Sequence, residues 1–283
     1  MSSIFNLALF HLLLLLTIIA VADCDAAVWC ATGFSDAPQS SFFNKIKKFL
    51  GLALFPKQSI DLIAVPRLAE IFLSKTSIAG PALPKVVMLS SAGVTRPSWE
   101  KEKKKVFAGC ADIPIVRLNP FGILDIKAQS EEKLRQSEVD YCIFRPCGLN
   151  NDWPVGSRPI FSQGDVAVGR INRVDVARIL VDVLSAPEAV GKTFEGFTVK
   201  GYPPARSPNA ALSRMRLDSE GIPSTEALLA TYSMLQQLLP GEVQDAVQLA
   251  MGQTYEQLDK NEVGRLGRRG EEDAEAAAPK PSL

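Results

Sequence analysis

The sequence predicts an α/β fold: an open parallel sheet flanked by helices, followed by a C-terminal helical extension. Three observations carry this. Short apolar runs end alike, in small residues and glycine, at DAAVWCATGFSD (Asp25–Asp36), KVVMLSSAG (Lys85–Gly93) and DYCIFRPCGL (Asp140–Leu149). Buried parallel strands run into their loops in this way. Segments with helical spacing lie between them, and strands alternating with helices imply parallel pairing through right-handed crossovers.

Ile4 to Ala22 carry no charge, and the run is just long enough to span a bilayer. The AVA that ends it fits a signal-peptidase site, so residues 1–24 are expected to be a signal peptide or an anchor, with membrane contact through residues 4–22. The first strand follows at Val28. Ser59 to Lys75 read as a helix that Pro66 should kink or split. The second strand lies at Val87.

Leu124 to Ser137, rich in Lys, Glu, Gln and Leu, read as a helix. The third strand is expected from Tyr141 to Phe144, with Arg145-Pro146 turning the chain. Asn172 to Pro187 are the clearest helix. Asn172 suits the N-cap, Asp175 the first turn, and Val176, Ile179, Leu180, Val183 and Leu184 share one face. Lys192 to Val199 alternate and read as a fourth strand.

After Gly201 a Pro-rich linker leads to two helical stretches. Ser224 caps the first, and Pro240-Gly241 separates it from the second. Together they read as a helical hairpin whose face of Leu228, Leu229, Tyr232, Leu235 and Leu239 needs a partner. The resulting division is residues 1–24, a sheet domain over 25–203, a helical extension over 204–263 and a tail over 264–283 poor in bulky apolar residues.

Composition excludes several functions. Net charge is zero and no aromatic residue interleaves with the lysines of KEKKK (Lys101–Lys105), so a nucleic-acid partner is not expected. The five cysteines form no C-x-x-C pair and the single histidine, His11, lies in the apolar run, so no metal site is expected. A Ser-His or Cys-His pair is excluded for the same reason. Cys142 reads as core. Cys147 has no visible group to activate its thiol.

In an open parallel sheet, ligands bind at the carboxyl ends of the strands. Here those ends are Ala31-Thr32-Gly33, Ser90-Ser91-Ala92-Gly93 and Arg145-Pro146-Cys147-Gly148. Small residues there let backbone approach a ligand closely.

SSAGVTRP, the stretch from Val116 to Leu149, QGDVAVGRINRVDVARILVDVL and KTFE together resemble the atypical short-chain dehydrogenase/reductases, NAD(P)-binding Rossmann proteins. The likeness runs from Ala26 to Val199, and it is nearest to the plant and algal branch. It implies a Rossmann-like sheet, an NAD(P) cofactor, a small-molecule substrate and a plastid location. It also implies a catalytic serine at Ser91 (or Ser90), and at Lys127 a lysine that bonds the nicotinamide ribose. Ala31, Thr32, Gly33, Ser90, Arg145, Pro146, Cys147 and Gly148 would line the cofactor.

Two departures qualify the resemblance. The tyrosine expected one helical turn before Lys127 is Ile123, which can neither give nor take a proton. No glycine precedes Gly33, so the Gly-rich strand-turn-helix that holds the pyrophosphate is not found, and the sheet is expected to be truncated at its front. The strand at Val28 would then be a hydrophobic edge, to be covered by the N-terminal run or the helical hairpin. Two functions follow: an oxidoreductase of unknown substrate lacking the usual tyrosine, or a catalytically inactive scaffold that binds a protein partner or assists assembly.

Overall fold

The computed structural model describes residues 21, 23–31, 59–74, 81–119, 122–202, 205 and 207–237. The strands among them are β1 (Ala27–Trp29), β2 (Val86–Leu89), β3 (Tyr141–Pro146), β4 (Gly148–Leu149), β5 (Arg158–Ser162), β6 (Arg170–Ile171) and β7 (Lys192–Val199). The main sheet has the order β1-β2-β3-β7-β5. Its first four strands are parallel, and β5 closes one edge antiparallel to β7. β4 and β6 form a small parallel ribbon. The strands at Val28, Val87 and Ile143 are therefore adjacent, as expected, in a Rossmann-like α/β sheet.

The period-two alternation of the central strands sorts side chains to two covered faces. Val86, Met88, Tyr141 and Ile143 face α1 (Ile60–Leu73), meeting Val65, Leu68, Ala69 and Phe72. Val87, Cys142 and Phe144 face the opposite way, onto Val176, Ile179, Leu180 and Val183 of the helix at Arg173–Leu184. Each such buried side chain contributes roughly 1.5–3 kcal/mol. Cys142 is thus a core residue.

Between β2 and β3 the chain forms the short helices α2 (Lys101–Val106), α3 (Ala108–Ala111) and α4 (Pro114–Leu118), then the longer α5 (Ile123–Arg135). The helix at Arg173–Leu184 is α6, capped by Asn172 Oδ1, which accepts from the Val174 N–H at 2.9 Å. After β7 come α7 (Asn209–Leu212) and α8 (Thr225–Gln237).

Some expectations are corrected. α1 is not split at Pro66, because the packing of Val65, Leu68, Ala69 and Phe72 on the sheet outweighs one lost backbone hydrogen bond. Arg145-Pro146 does not turn the chain: β3 continues through it, pairing Arg145 with Glu195 and Pro146 with Gly196. Proline is tolerated because it is the last residue of the strand, where its carbonyl still accepts from the Ala92 N–H at 3.0 Å. β5 and the β4–β6 ribbon have no counterpart in the sequence reading.

The first arm of the expected hairpin is α8, whereas residues 238–258 and the apolar run through residue 20 lie outside the described residues. α8 does not cover β1. Leu228 packs on Trp99, Phe107, Cys110, Val166 and Val168, and Leu235 on Ala92, Cys147, Ala167, Phe197 and Val199. The extension therefore lies over the loops at the carboxyl ends of β2 and β3, where it finds apolar side chains rather than a bare strand edge. Val28 on β1 is 37% exposed, and among the described residues β1 pairs only with β2. None of the described helices is long and apolar enough to cross a membrane.

Candidate functional site

Lys127 lies in the second turn of α5 and is 7% exposed. Its Nζ donates to the Leu89 carbonyl at 3.5 Å, at the last residue of β2. Burial lowers its pKa, against the opposing charges of Asp61, Glu131 and Cys30. Cys30, which follows β1, has its thiol pKa raised by burial, with the Lys127 charge opposing. Lys127 and Cys30 thus sense each other where β1 and β2 end, and the lysine does not project into bulk solvent.

Ser91, half-buried after β2, donates from Oγ to the Ala92 carbonyl at 3.0 Å. Ser90 is buried, and its hydroxyl lies near the Glu131 carboxylate, close enough to help lower that group's pKa but outside good hydrogen-bond geometry. Ala31 is exposed, while Thr32 and Gly33 lie outside the described residues. Gly148 is exposed on β4, its N–H donating to the Gly169 carbonyl at 3.0 Å. Ser90, Ser91, Lys127 and the Pro146 end of β3 are brought together at the carboxyl end of the sheet. The Ala92 N–H to Pro146 bond ties the loop after β2 to the end of β3.

Arg145 and Cys147 point elsewhere. Arg145 is buried and grips Glu131 of α5 through Nε to Oε1 at 2.9 Å and Nη2 to Oε2 at 2.5 Å. Burial opposes its charge, but Glu131 keeps its pKa above the usual arginine value. The Cys147 sulfur lies 3.5 Å from the Ala167 carbonyl, and burial pushes its thiol well above the ordinary value despite the opposing Arg96 charge. It is an inert thiol.

Sequence reasoning missed the charged frame beneath these loops. Arg96 is 0% exposed. It donates to the carbonyls of Asp165 (2.8 Å), Cys110 (2.9 Å) and Ala167 (2.7 Å). The Asp165 carboxylate accepts from the N–H groups of Gly93 (2.6 Å) and Thr95 (2.8 Å) and from the Thr95 hydroxyl (2.8 Å). Burial would raise its pKa, but Arg96, Arg145 and these donors hold it below the usual carboxylate range. The Asp165 N–H in turn donates to Glu195 Oε1 at 2.8 Å. Burial and the Asp165 charge push Glu195 up to about 7, against Arg145 and Arg96. The available signal was Glu195 itself, an acid in the middle of a strand buried on both faces. Asp165 gave less: a Gly-Asp step between apolar runs is compatible with any turn.

Ile123, at the position of the expected tyrosine, is 5% exposed and packs with Val94, Val116 and Leu124. Among the described residues no group of three or more metal-ligating side chains occurs.

A curated relative, an uncharacterized chloroplastic protein of Arabidopsis thaliana, is 35% identical over 91 residues, 32% of either chain. The match thus spans about a third of that relative's length. Among solved structures, the oxidoreductase ylbE of Lactococcus lactis is 15% identical with a TM-score of 0.42, over 70% of both chains. A short-chain dehydrogenase/reductase of Veillonella parvula, solved in complex with NADP, is 17% identical with a TM-score of 0.35, over 50% of this chain and 61% of its own. The NAD(P)H-binding family matches residues 19–187, more than half of the chain. This protein belongs to the NAD(P)H-binding family.

Proposed function

We propose that the chain is an oxidoreductase of the atypical short-chain dehydrogenase/reductase type, holding the nicotinamide ribose of NAD(P) at the carboxyl ends of β1 and β2. The observation that carries this is the burial of the Lys127 ammonium beside the Leu89 carbonyl, where a helix lysine with no task would lie in water. The residues fit one half of the dinucleotide. Lys127 has donors to spare for ribose hydroxyls, and the backbone of Ala31 and Ser90 would line the same end. For the pyrophosphate the described residues offer no Gly-rich turn, and α1 begins with Asp61 in its first turn, which repels phosphate.

NAD(P) bound there would supply or accept hydride. Ser91 Oγ, whose proton now goes to a neighbouring carbonyl, would turn it to a substrate carbonyl oxygen. Arg145 would act from below, fixing Glu131 and hence the face of α5 that carries Lys127, rather than touching the nicotinamide. The substrate is a small molecule of unknown identity. A plastid location is proposed on the chloroplastic relative alone.

A catalytically inactive scaffold that binds a protein partner is the second reading, favoured by the apolar burial of Ile123, which leaves no proton donor one turn before Lys127. Titration of the full chain with NADH and NADPH, followed by nicotinamide fluorescence, separates the two. Saturable binding that Lys127→Met weakens about tenfold, a loss of about 1.4 kcal/mol, supports the first reading. No binding of either nucleotide leaves the scaffold.

A further inference from the structure

A concavity lies between α2, α3 and α4. It has a volume of about 610 Å³, within the range of pockets that take small organic ligands. Pro97, Ala108, Ala111 and Val116 give it an apolar lining, to which Asn119 adds a polar group. Lys104, Lys105 and Arg117 stand around it. Lys104 Nζ is used by the Pro97 carbonyl at 2.8 Å. Lys105 and Arg117 are exposed, and among the described residues neither forms an ion pair. Asp112 also lines the cavity, yet among the described residues it forms no ion pair with these cations.

Each cation has a local reason to exist: Lys105 and Arg117 sit in the last turns of α2 and α4, where positive charge suits a helix C-terminus. That reason does not account for their convergence, with Lys104, on one apolar hollow in a chain of zero net charge. Like charges gathered there repel one another, and their mutual repulsion falls when an anion joins them.

We propose that this cavity binds a small organic anion with an apolar body, the anionic group taken by Lys105 and Arg117 and the body laid on Pro97, Ala111 and Val116. The ligand class is a carboxylate, phosphate or sulfonate carrying an aromatic or aliphatic portion. The guanidinium of Arg117 gives the planar fork that such groups accept, and the apolar floor selects against inorganic ions. The site stands on its own lining and does not need the dinucleotide reading.

The test uses 8-anilinonaphthalene-1-sulfonate and its neutral counterpart N-phenyl-1-naphthylamine, each titrated by fluorescence into the full chain. The expected result is a saturable sulfonate site that Lys105→Gln/Arg117→Gln weakens at least tenfold, with the neutral dye little changed. Lys101→Gln/Lys103→Gln, which removes the same charge from α2 outside the cavity, should leave the sulfonate affinity within twofold of the parent. The proposal is overturned if the parent shows no saturable sulfonate binding. It is also overturned if the cavity variant binds as tightly as the parent, if both variants lose affinity equally, or if the neutral dye loses as much as the sulfonate. Lys101, Lys105 and Arg117 are exposed and Lys103 is half-buried over the Trp99 ring, so matching melting temperatures for parent and variants would verify the fold.

Discussion

Arg145 and Glu131 clasp each other across the α5–β3 interface, Nε to Oε1 at 2.9 Å and Nη2 to Oε2 at 2.5 Å, with both side chains buried. Arg135 adds a second cation to the same carboxylate, with Nη2 at 2.6 Å from Oε2. The pair links the helix that carries Lys127 to the strand at the centre of the sheet. Because both charges are desolvated, removing one partner costs far more than replacing both.

Arg145→Met is therefore expected to lower stability by about 2–4 kcal/mol, because it leaves Glu131 with Arg135 alone and removes the cation 4.0 Å from Glu195. Arg145→Met combined with Glu131→Leu should recover a large part of that loss. Urea unfolding of the parent, both single variants and the double variant measures this. A double variant as unstable as the sum of the singles would contradict the pairing.

Glu195 gives a pH signature of the opposite sign to an ordinary buried carboxylate. Its folded pKa of about 7 lies above its usual 4.5, so between those values the folded state binds more protons than the unfolded one. Stability should therefore fall as pH rises from 4.5 to 7, by about 1–3 kcal/mol. Asp165 and Glu131 are shifted down instead, so their contributions are lost only as pH falls below the ordinary carboxylate range and do not cancel this slope. Glu195→Gln mimics the protonated form and should flatten the slope, making the variant more stable than the parent above pH 7. Thermal melts across the window would show it.

Lys127→Met separates function from stability. A buried lysine with a lowered pKa disfavours folding at neutral pH, since the unfolded chain holds the proton more tightly. The variant is expected to be more stable by about 1 kcal/mol while binding NAD(P)H more weakly. The parent should also gain stability as pH climbs from the lowered folded value toward 10.5, and the variant should not. A variant that is both less stable and unchanged in nucleotide affinity would assign Lys127 a purely structural role.

Leu228 anchors α8 and rests against Gly164. The glycine has φ +95°, and a Cβ added there would lie 2.2 Å from Leu228 Cδ2. Leu228→Ala should cost about 2–5 kcal/mol. Gly164→Ala should be destabilising through both the clash and the left-handed backbone, but less so in the Leu228→Ala background, where the clash is gone and about 1 kcal/mol of backbone cost persists. Deleting residues 209–283 should lower the melting temperature markedly, because Leu212, Leu228 and Leu235 are all core side chains.

The sequence by itself determined the parallel core. The apolar runs at Val28, Val87 and Ile143 announce strands, the 3.6-residue spacing after Asn172 announces α6, and the small residues after β2 mark where the chain leaves the sheet. These signals are local, because a strand covered by its neighbours reads as a mainly apolar run whatever its partners are. Lys127 was legible by its motif, but its burial was not, since helix propensity says nothing about which lysine a neighbouring strand end will cover. Tertiary structure alone decided the rest. It carried β3 on through Arg145-Pro146, because Glu131 on α5 and Glu195 on β7 supply the compensating charge. It set α8 over the loops after β2 and β3 rather than along β1, because Leu228 and Leu235 found apolar partners there. It joined Arg96 to Asp165 across 69 residues, a pairing that no local pattern encodes. Charges are buried only where several segments converge to satisfy them, and convergence is a property of the folded chain.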